Sequence, residues 1–374
     1  MTKNNFGYLS ISKLHELYIK KEVSPVDVIN ETLENIKEIN KILFAYVTIT
    51  EEFAIKKAKD AEKKILNGEP ISLLTGIPIP IKDVEPMKDV RCTFGSLPRD
   101  AIAKDDSMVV RKIKEHDGII VGKTNTPEYG MAGTSDNRVF GSTFNPWNKS
   151  MTSGGSSGGS AVSVSSGLTS IGQGGDGGGS IRIPASFCGV FGIKPTQGRI
   201  SRIVDGSVRY NVVSNATSGP ITRFVEDSAV LLNVLSGFSN KGEYISINEK
   251  SLNIKKLNDT KKFKIAYSPS IGNANIDNEV AESVLNAVKK YQRNYISEID
   301  EINFYPESIE EIYNVFFDFF CVKGYASDPE LLDNKEISEK ITDYLKRNWE
   351  HGKALSGNRV FECYNKIGYY RDYL

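Results

Sequence analysis

GGDGGGSIR (174–182) decides how the rest of the chain is read. Three successive glycines, Gly177 to Gly179, precede a serine, so no side chain stops their amides from turning inward together. The N–H groups of Gly177, Gly178, Gly179 and Ser180 would then face one point, where an oxyanion develops. A phosphate cradle is the competing reading of the same glycines, but the loop lacks the GxxxxGK[ST] pattern and its lysine. A serine beside converging amides points to acyl transfer, which needs a nucleophile, a base and oxyanion donors.

The loop sits in a Gly- and Ser-rich stretch, 152–201, whose blandest reading is a flexible linker. Three details oppose that. SAVSVSSGL (160–168) reads as a small-residue helix that packs tightly on a sheet, and SIRIPASFCGVFGIKP (180–195) has the character of buried strand and helix. The glycines also cluster in two short loops instead of spreading evenly.

On either side the chain alternates helix and strand. SPVDVINETLENIKEINK (24–41) opens with Ser24 as N-cap and Pro25 at the first helical position. EEFAIKKAKDAEKKILNG (51–68) is an amphipathic helix closed by Gly68. LLTGIPIPIKDV (73–84) reads as a buried strand ending at Lys82, SMVVRKIKEHDG (107–118) as a helix and GIIVGKTN (118–125) as a strand. Further on, helices are expected at 222–237, 277–292 and 310–326, and strands at 261–270 and 295–304. The alternation predicts an α/β fold: a mixed, largely parallel central sheet covered by helices on both faces. The aromatic run FFDFF (316–320) reads as core as readily as substrate-channel wall.

The chain has 374 residues, 39% of them apolar and 25% charged, with a formal net charge of zero. Neutrality argues against a nucleic-acid partner, which would need a basic face. No run approaches a membrane span, and the N-terminus has no apolar leader segment. The four cysteines show neither CxxC spacing nor a Cys/His cluster, so no metal is expected and a reducing, cytoplasmic setting fits.

The base is the next question. Only three histidines exist, His15, His116 and His351, and none is near the Gly/Ser loops in sequence. Lys82, at the end of the apolar run IPIPIK, is the other candidate. A lysine solvated at its reference pKa of about 10.4 is a poor base at neutral pH. Burial removes solvation from the ammonium and favours the neutral amine. A solvated strand-end lysine is the alternative.

GIPIPIKD (76–83), GKTNTPEYG (122–130), FGSTFNPWN (140–148), GGSSGGSA (154–161) and GDGGGSIRIPASFCGVFGIKPTQGRIS (175–201) together resemble the amidase signature family, over about residues 7–305. The resemblance implies the amidase signature fold, as one domain spanning 1–374 with its core at about 76–201, and hydrolysis of a carboxamide C–N bond without metal or organic cofactor. It makes Ser180 the acylated nucleophile, Ser156 the bridging serine behind a cis peptide bond, and Lys82 the general base. The amides of Gly177 to Ser180 become the oxyanion hole. Ser157 supports the network by hydrogen bonding, and Asp176 and Arg182 form a bracing ion pair. A small amide substrate and a homodimer are implied as partners, without nucleic acid or membrane. Gly177, Ser153 and Pro80 depart from the family's usual residues without removing a catalytic group. The family usually continues beyond the length seen here, so missing elements of the fold, exposed core surface and self-association are expected. Two other functions stay open: the glutaminase subunit of a tRNA-dependent amidotransferase, and a catalytically impaired, shortened relative.

Overall fold

The computed structural model describes residues 5–201, 216–237, 247, 251, 252, 254, 264–270, 274–295, 298–302 and 309–373. These fall into two compact units, Met1–Ile254 with Asp333–Leu345 and Lys255–Leu332 with Lys346–Leu374.

The first unit opens with helices α1 (Ile11–Ile19) and α2 (Pro25–Leu43), strand β1 (Tyr46–Ile49) and helix α3 (Glu51–Leu66). Ser24 does cap α2. Its hydroxyl accepts from the Asp27 amide at 3.1 Å, and the Asp27 carboxylate accepts from the Ser24 amide at 3.0 Å. This reciprocal box fixes where α2 begins, an arrangement worth about 1 kcal/mol. Val28, Ile29, Leu33 and Ile36, spaced by one, three and four residues, form the buried face of α2.

The expected strand at 73–84 is shorter in the structure. Turns at Ser72–Thr75 and Leu74–Ile77 take up its first part, and β2 runs Pro78–Lys82, every residue buried. Helix α4 (Met108–Glu115) leads into β3 (Ile119–Thr124). β3 lies between β1, antiparallel to it, and β2, parallel to it, with Lys82 opposite Thr124. Pro80 cannot donate to a ladder; it sits on an edge strand beside a register shift at Ile79/Pro80, where that loss is tolerated.

Helix α5 (Gly158–Ser165) is followed by β4 (Ile171–Asp176), helix α6 (Arg182–Cys188), β5 (Phe191–Gly192), β6 (Thr217–Thr222) and helix α7 (Val225–Leu235). β6 is antiparallel to both β4 and β5. The sheets are therefore mixed, and among the described ladders of this unit antiparallel pairing has the larger share. β6 returns beside β4 in continuous register from Thr217–Asp176 to Thr222–Ile171. The stretch 152–201 is an ordered part of the core, since α5 is buried from Gly158 to Val164. A β-carbon on Gly159 would stand 2.4 Å from both the Ala45 carbonyl oxygen and the Asn125 amide nitrogen, so this close approach requires glycine.

In the second unit, β7 (Lys264–Tyr267) and β8 (Glu298–Glu301) pair in parallel across helix α8 (Asn278–Tyr295). Helix α9 (Ile309–Ser327) buries Val315, Asp318, Phe319 and Cys321. Residues 261–263, 296–297 and 303–304 of the expected strands lie outside the described residues. Gly357–Tyr373 is helical.

Candidate active site

Lys82 leaves β2 only 2% exposed, and its Nζ lies 2.5 Å from Ser156 Oγ. Pairing with β3 holds the strand, while the Lys82 amide donates to Gln173 Oε1 on β4 at 3.0 Å. Gln173 Nε2 in turn donates to the Gly174 carbonyl at 2.8 Å and to Glu85 Oε1 at 3.3 Å, and Glu85 Oε1 also accepts from Ser218 Oγ at 2.8 Å. One glutamine thus joins two sheets next to the lysine.

Ser156 is 1% exposed, and the Gly155–Ser156 peptide bond is cis. Ser157 connects the two Gly/Ser loops. Its amide donates to the Ser180 carbonyl at 3.1 Å, and its hydroxyl bonds the backbone of Gly175 at 3.1 Å. Ser180 is half-buried at the end of the loop, joined by that bond to the residue after Ser156. Lys82, Ser156, Ser157 and Ser180, scattered over a hundred positions of sequence, are therefore gathered in one place.

The Asp176 carboxylate braces the glycine loop. Its oxygens accept Arg182 Nε and Nη2, both at 2.9 Å, the Gly179 amide at 2.7 Å and the Ile181 amide at 3.2 Å. Burial pushes this carboxyl up, but the Arg182 guanidinium and the two amides outweigh it and leave it below the usual carboxylate range. Of the four amides expected to face an oxyanion, that of Gly179 is committed to Asp176. Burial alone would not have revealed this, because the loop's glycines range from buried Gly179 to exposed Gly178.

Asp83, next to Lys82 in sequence, serves a different lysine. Lys123, fully buried on β3, lies 3.1 Å from Asp83 Oδ1 and donates to the Glu85 carbonyl at 2.6 Å. Asp83 Oδ2 accepts from the Thr93 amide and hydroxyl at 3.0 and 2.6 Å. Burial pulls the Lys123 pKa down, yet Asp83 outweighs it and the net direction is up. Sequence reasoning missed Lys123 and Gln173. The signal was a charged or amide side chain inside an apolar strand, which has to find a partner.

The histidines are engaged elsewhere. His15 bonds the Thr75 carbonyl at 3.1 Å, His116 the Lys112 carbonyl at 2.9 Å, and His351 the Asp318 carboxylate at 2.6 Å. Among the described residues, no group of three or more His, Cys, Asp or Glu is placed to hold a metal, and no helix is long and apolar enough to cross a membrane.

The family model described as Amidase matches residues 27–369. An acylamidase of Rhodococcus erythropolis is 32% identical over 360 residues, covering 96% of this chain and 74% of its own length. A glutamyl-tRNA(Gln) amidotransferase subunit of Trichodesmium erythraeum is 43% identical over 237 residues, covering 62% of this chain and 47% of its own. The chain thus spans about three-quarters of the first relative and about half of the second. Among solved structures, a bacterial aryl acylamidase of the amidase signature family superposes with a TM-score of 0.87 at 27% identity, over 96% of this chain and 78% of that one.

Proposed function

Since the chain belongs to the amidase family, we propose that it hydrolyses the C–N bond of a small carboxamide through an acyl-enzyme on Ser180. The observation that carries this reading is the 2.5 Å approach of Lys82 Nζ to Ser156 Oγ in a buried site one hydrogen bond from the Ser180 loop. Neutral Lys82 takes the Ser156 proton as Ser156 takes that of Ser180. Ser180 Oγ attacks the carbonyl carbon, and the negative oxygen is received by the amides of the glycine loop, with Gly179 held back by Asp176. The proton returns through Ser156 to the leaving nitrogen, and ammonia or an amine departs. Water then attacks the ester and frees Ser180. Asp176, Arg182 and Ser157 keep the loop in position.

The match to the family runs through both compact units, which supports reading residues 1–374 as one amidase domain. Four unpaired, buried cysteines fit a reducing compartment, and we assign the chain to the cytoplasm and, with the family, to a homodimer. A glutaminase subunit is the second reading, favoured by the higher identity in the shared part. The acylamidase match is preferred because it extends over nearly the whole chain. Product release from glutamine, an aliphatic amide and an anilide separates the two. The preferred reading expects turnover of the simple amides above glutamine; glutamine alone as substrate overturns it.

A further inference from the structure

Gly130 lies against the Lys82–Ser156 pair. A β-carbon built on it would stand 3.2 Å from Ser156 Oγ and 3.8 Å from Lys82 Nζ. The turn that presents it, Glu128–Gly130, passes through Tyr129 at φ 54°, in the left-handed region uncommon outside glycine. Such a turn persists when its surroundings hold it.

Part of the hold is local, from the Tyr129 amide to the Phe94 carbonyl at 2.8 Å. The rest passes through Glu128, which is 1% exposed. Its Oε1 accepts from Ser96 Oγ at 2.5 Å, and its Oε2 accepts from the Thr342 amide at 2.7 Å and the Thr342 hydroxyl at 2.6 Å. The Glu128 amide donates to the Tyr344 hydroxyl at 2.6 Å. Thr342 lies 214 positions beyond Glu128 in the chain. Ile341 and Leu345, 2% and 0% exposed, fix that late stretch in the core on either side of the two polar residues. Arg138 adds an ion pair to Asp343 at 3.2 Å, but both side chains are exposed and such pairs contribute little. Short bonds to a buried carboxylate are the strong kind, and losing one leaves the partner unsatisfied.

We propose that Glu128, Thr342 and Tyr344 are positioning residues: the late stretch Ile341–Leu345 clamps the Glu128–Gly130 turn and so sets the wall against which Lys82 and Ser156 react. This rests on reading Lys82, Ser156 and Ser180 as the reacting groups. None of the three clamp residues touches a reacting atom; each acts through Gly130.

The test uses the full chain with Thr342→Val, Thr342→Ser and Tyr344→Phe. The readouts are the rate at which a fluorophosphonate probe modifies Ser180, the melting temperature, and hydrogen exchange of the amides in 126–133. A displaced turn slows reaction of a well-folded site by about tenfold or more. Thr342→Val and Tyr344→Phe are expected to slow labelling by that factor and to speed exchange at Glu128–Gly130 while the chain still folds and melts cooperatively, and Thr342→Ser is expected to keep both near the parent values. If Thr342→Val melts early, Tyr344→Phe, which removes one oxygen, carries the test. Unchanged labelling and exchange in the Val and Phe variants overturns the proposal, as does a Thr342→Ser protein as slow as Thr342→Val. Undiminished labelling of Lys82→Ala instead overturns the catalytic reading, and the exchange measurement still decides the clamp.

Discussion

Replacing Lys123 with methionine isolates the role of the buried charge next to the strand that carries Lys82. Methionine keeps much of the side-chain length and removes the ammonium. Asp83, 1% exposed, then loses its ion pair at 3.1 Å and keeps only the two donors of Thr93. The Glu85 carbonyl also loses its donor at 2.6 Å. Removing one member of a buried pair costs about 3–5 kcal/mol, because the other charge stays buried without compensation. At 2–4 °C per kcal/mol for domains of 150–250 residues, melting falls by roughly ten degrees. Asp83→Asn alone should cost a similar amount, since it strands Lys123. The double variant should recover more than about 1 kcal/mol relative to the sum, which is the signature of direct coupling. Thermal melting and urea unfolding at pH 7 supply the numbers. Lys123 stays protonated at that pH, since its pKa is raised. A Lys123→Met protein within 1 kcal/mol of the parent, or additive effects in the double variant, would refute the idea that Asp83 belongs to Lys123.

Two further outcomes follow from individual carboxylates. Asp227 is buried, accepts the Ile11 amide at 3.1 Å with one oxygen, and is pushed up to about 7, chiefly by burial. A carboxyl raised in the folded state stabilises most below its unfolded value of about 3.9 and loses that contribution as pH rises toward 7. Melting between pH 5 and pH 8 should therefore fall less in Asp227→Asn than in the parent; an equal fall in both contradicts the assignment. Arg182→Met removes the guanidinium from Asp176 while the Gly179 and Ile181 amides stay bound. A loosened glycine loop should lower kcat by about ten- to a hundredfold with KM little changed. An unchanged kcat contradicts the brace.

What was legible in the sequence was local. The start of α2 follows from Ser24, Pro25 and Asp27, which lie within four residues of one another. Lys82 and Ser180 stood out because one ends an apolar run and the other follows a glycine cluster, while Ser156 was marked only by the resemblance of GGSSGGSA to the family's segment. Partner choice was not legible. β2 ends at Lys82 and the chain turns there, so Asp83 beside Lys82 in sequence faces Lys123 in space. Gln173 reaches the Lys82 amide across 91 positions and Glu128 reaches Thr342 across 214, and no spacing rule covers such distances. The commitment of the Gly179 amide to Asp176 depends on how the loop curls back, which three glycines leave open.

The central question is whether Ser180 is a nucleophile driven by Lys82 through Ser156. Labelling with a fluorophosphonate, which forms a serine–phosphorus bond as fluoride leaves, followed by peptide mass analysis, reads this directly. The expected result is modification at Ser180 in the parent chain, none in Ser180→Ala, and rates lowered by about a hundredfold or more in Lys82→Ala and Ser156→Ala. Labelling at another residue, or Lys82→Ala reacting as fast as the parent, would contradict it.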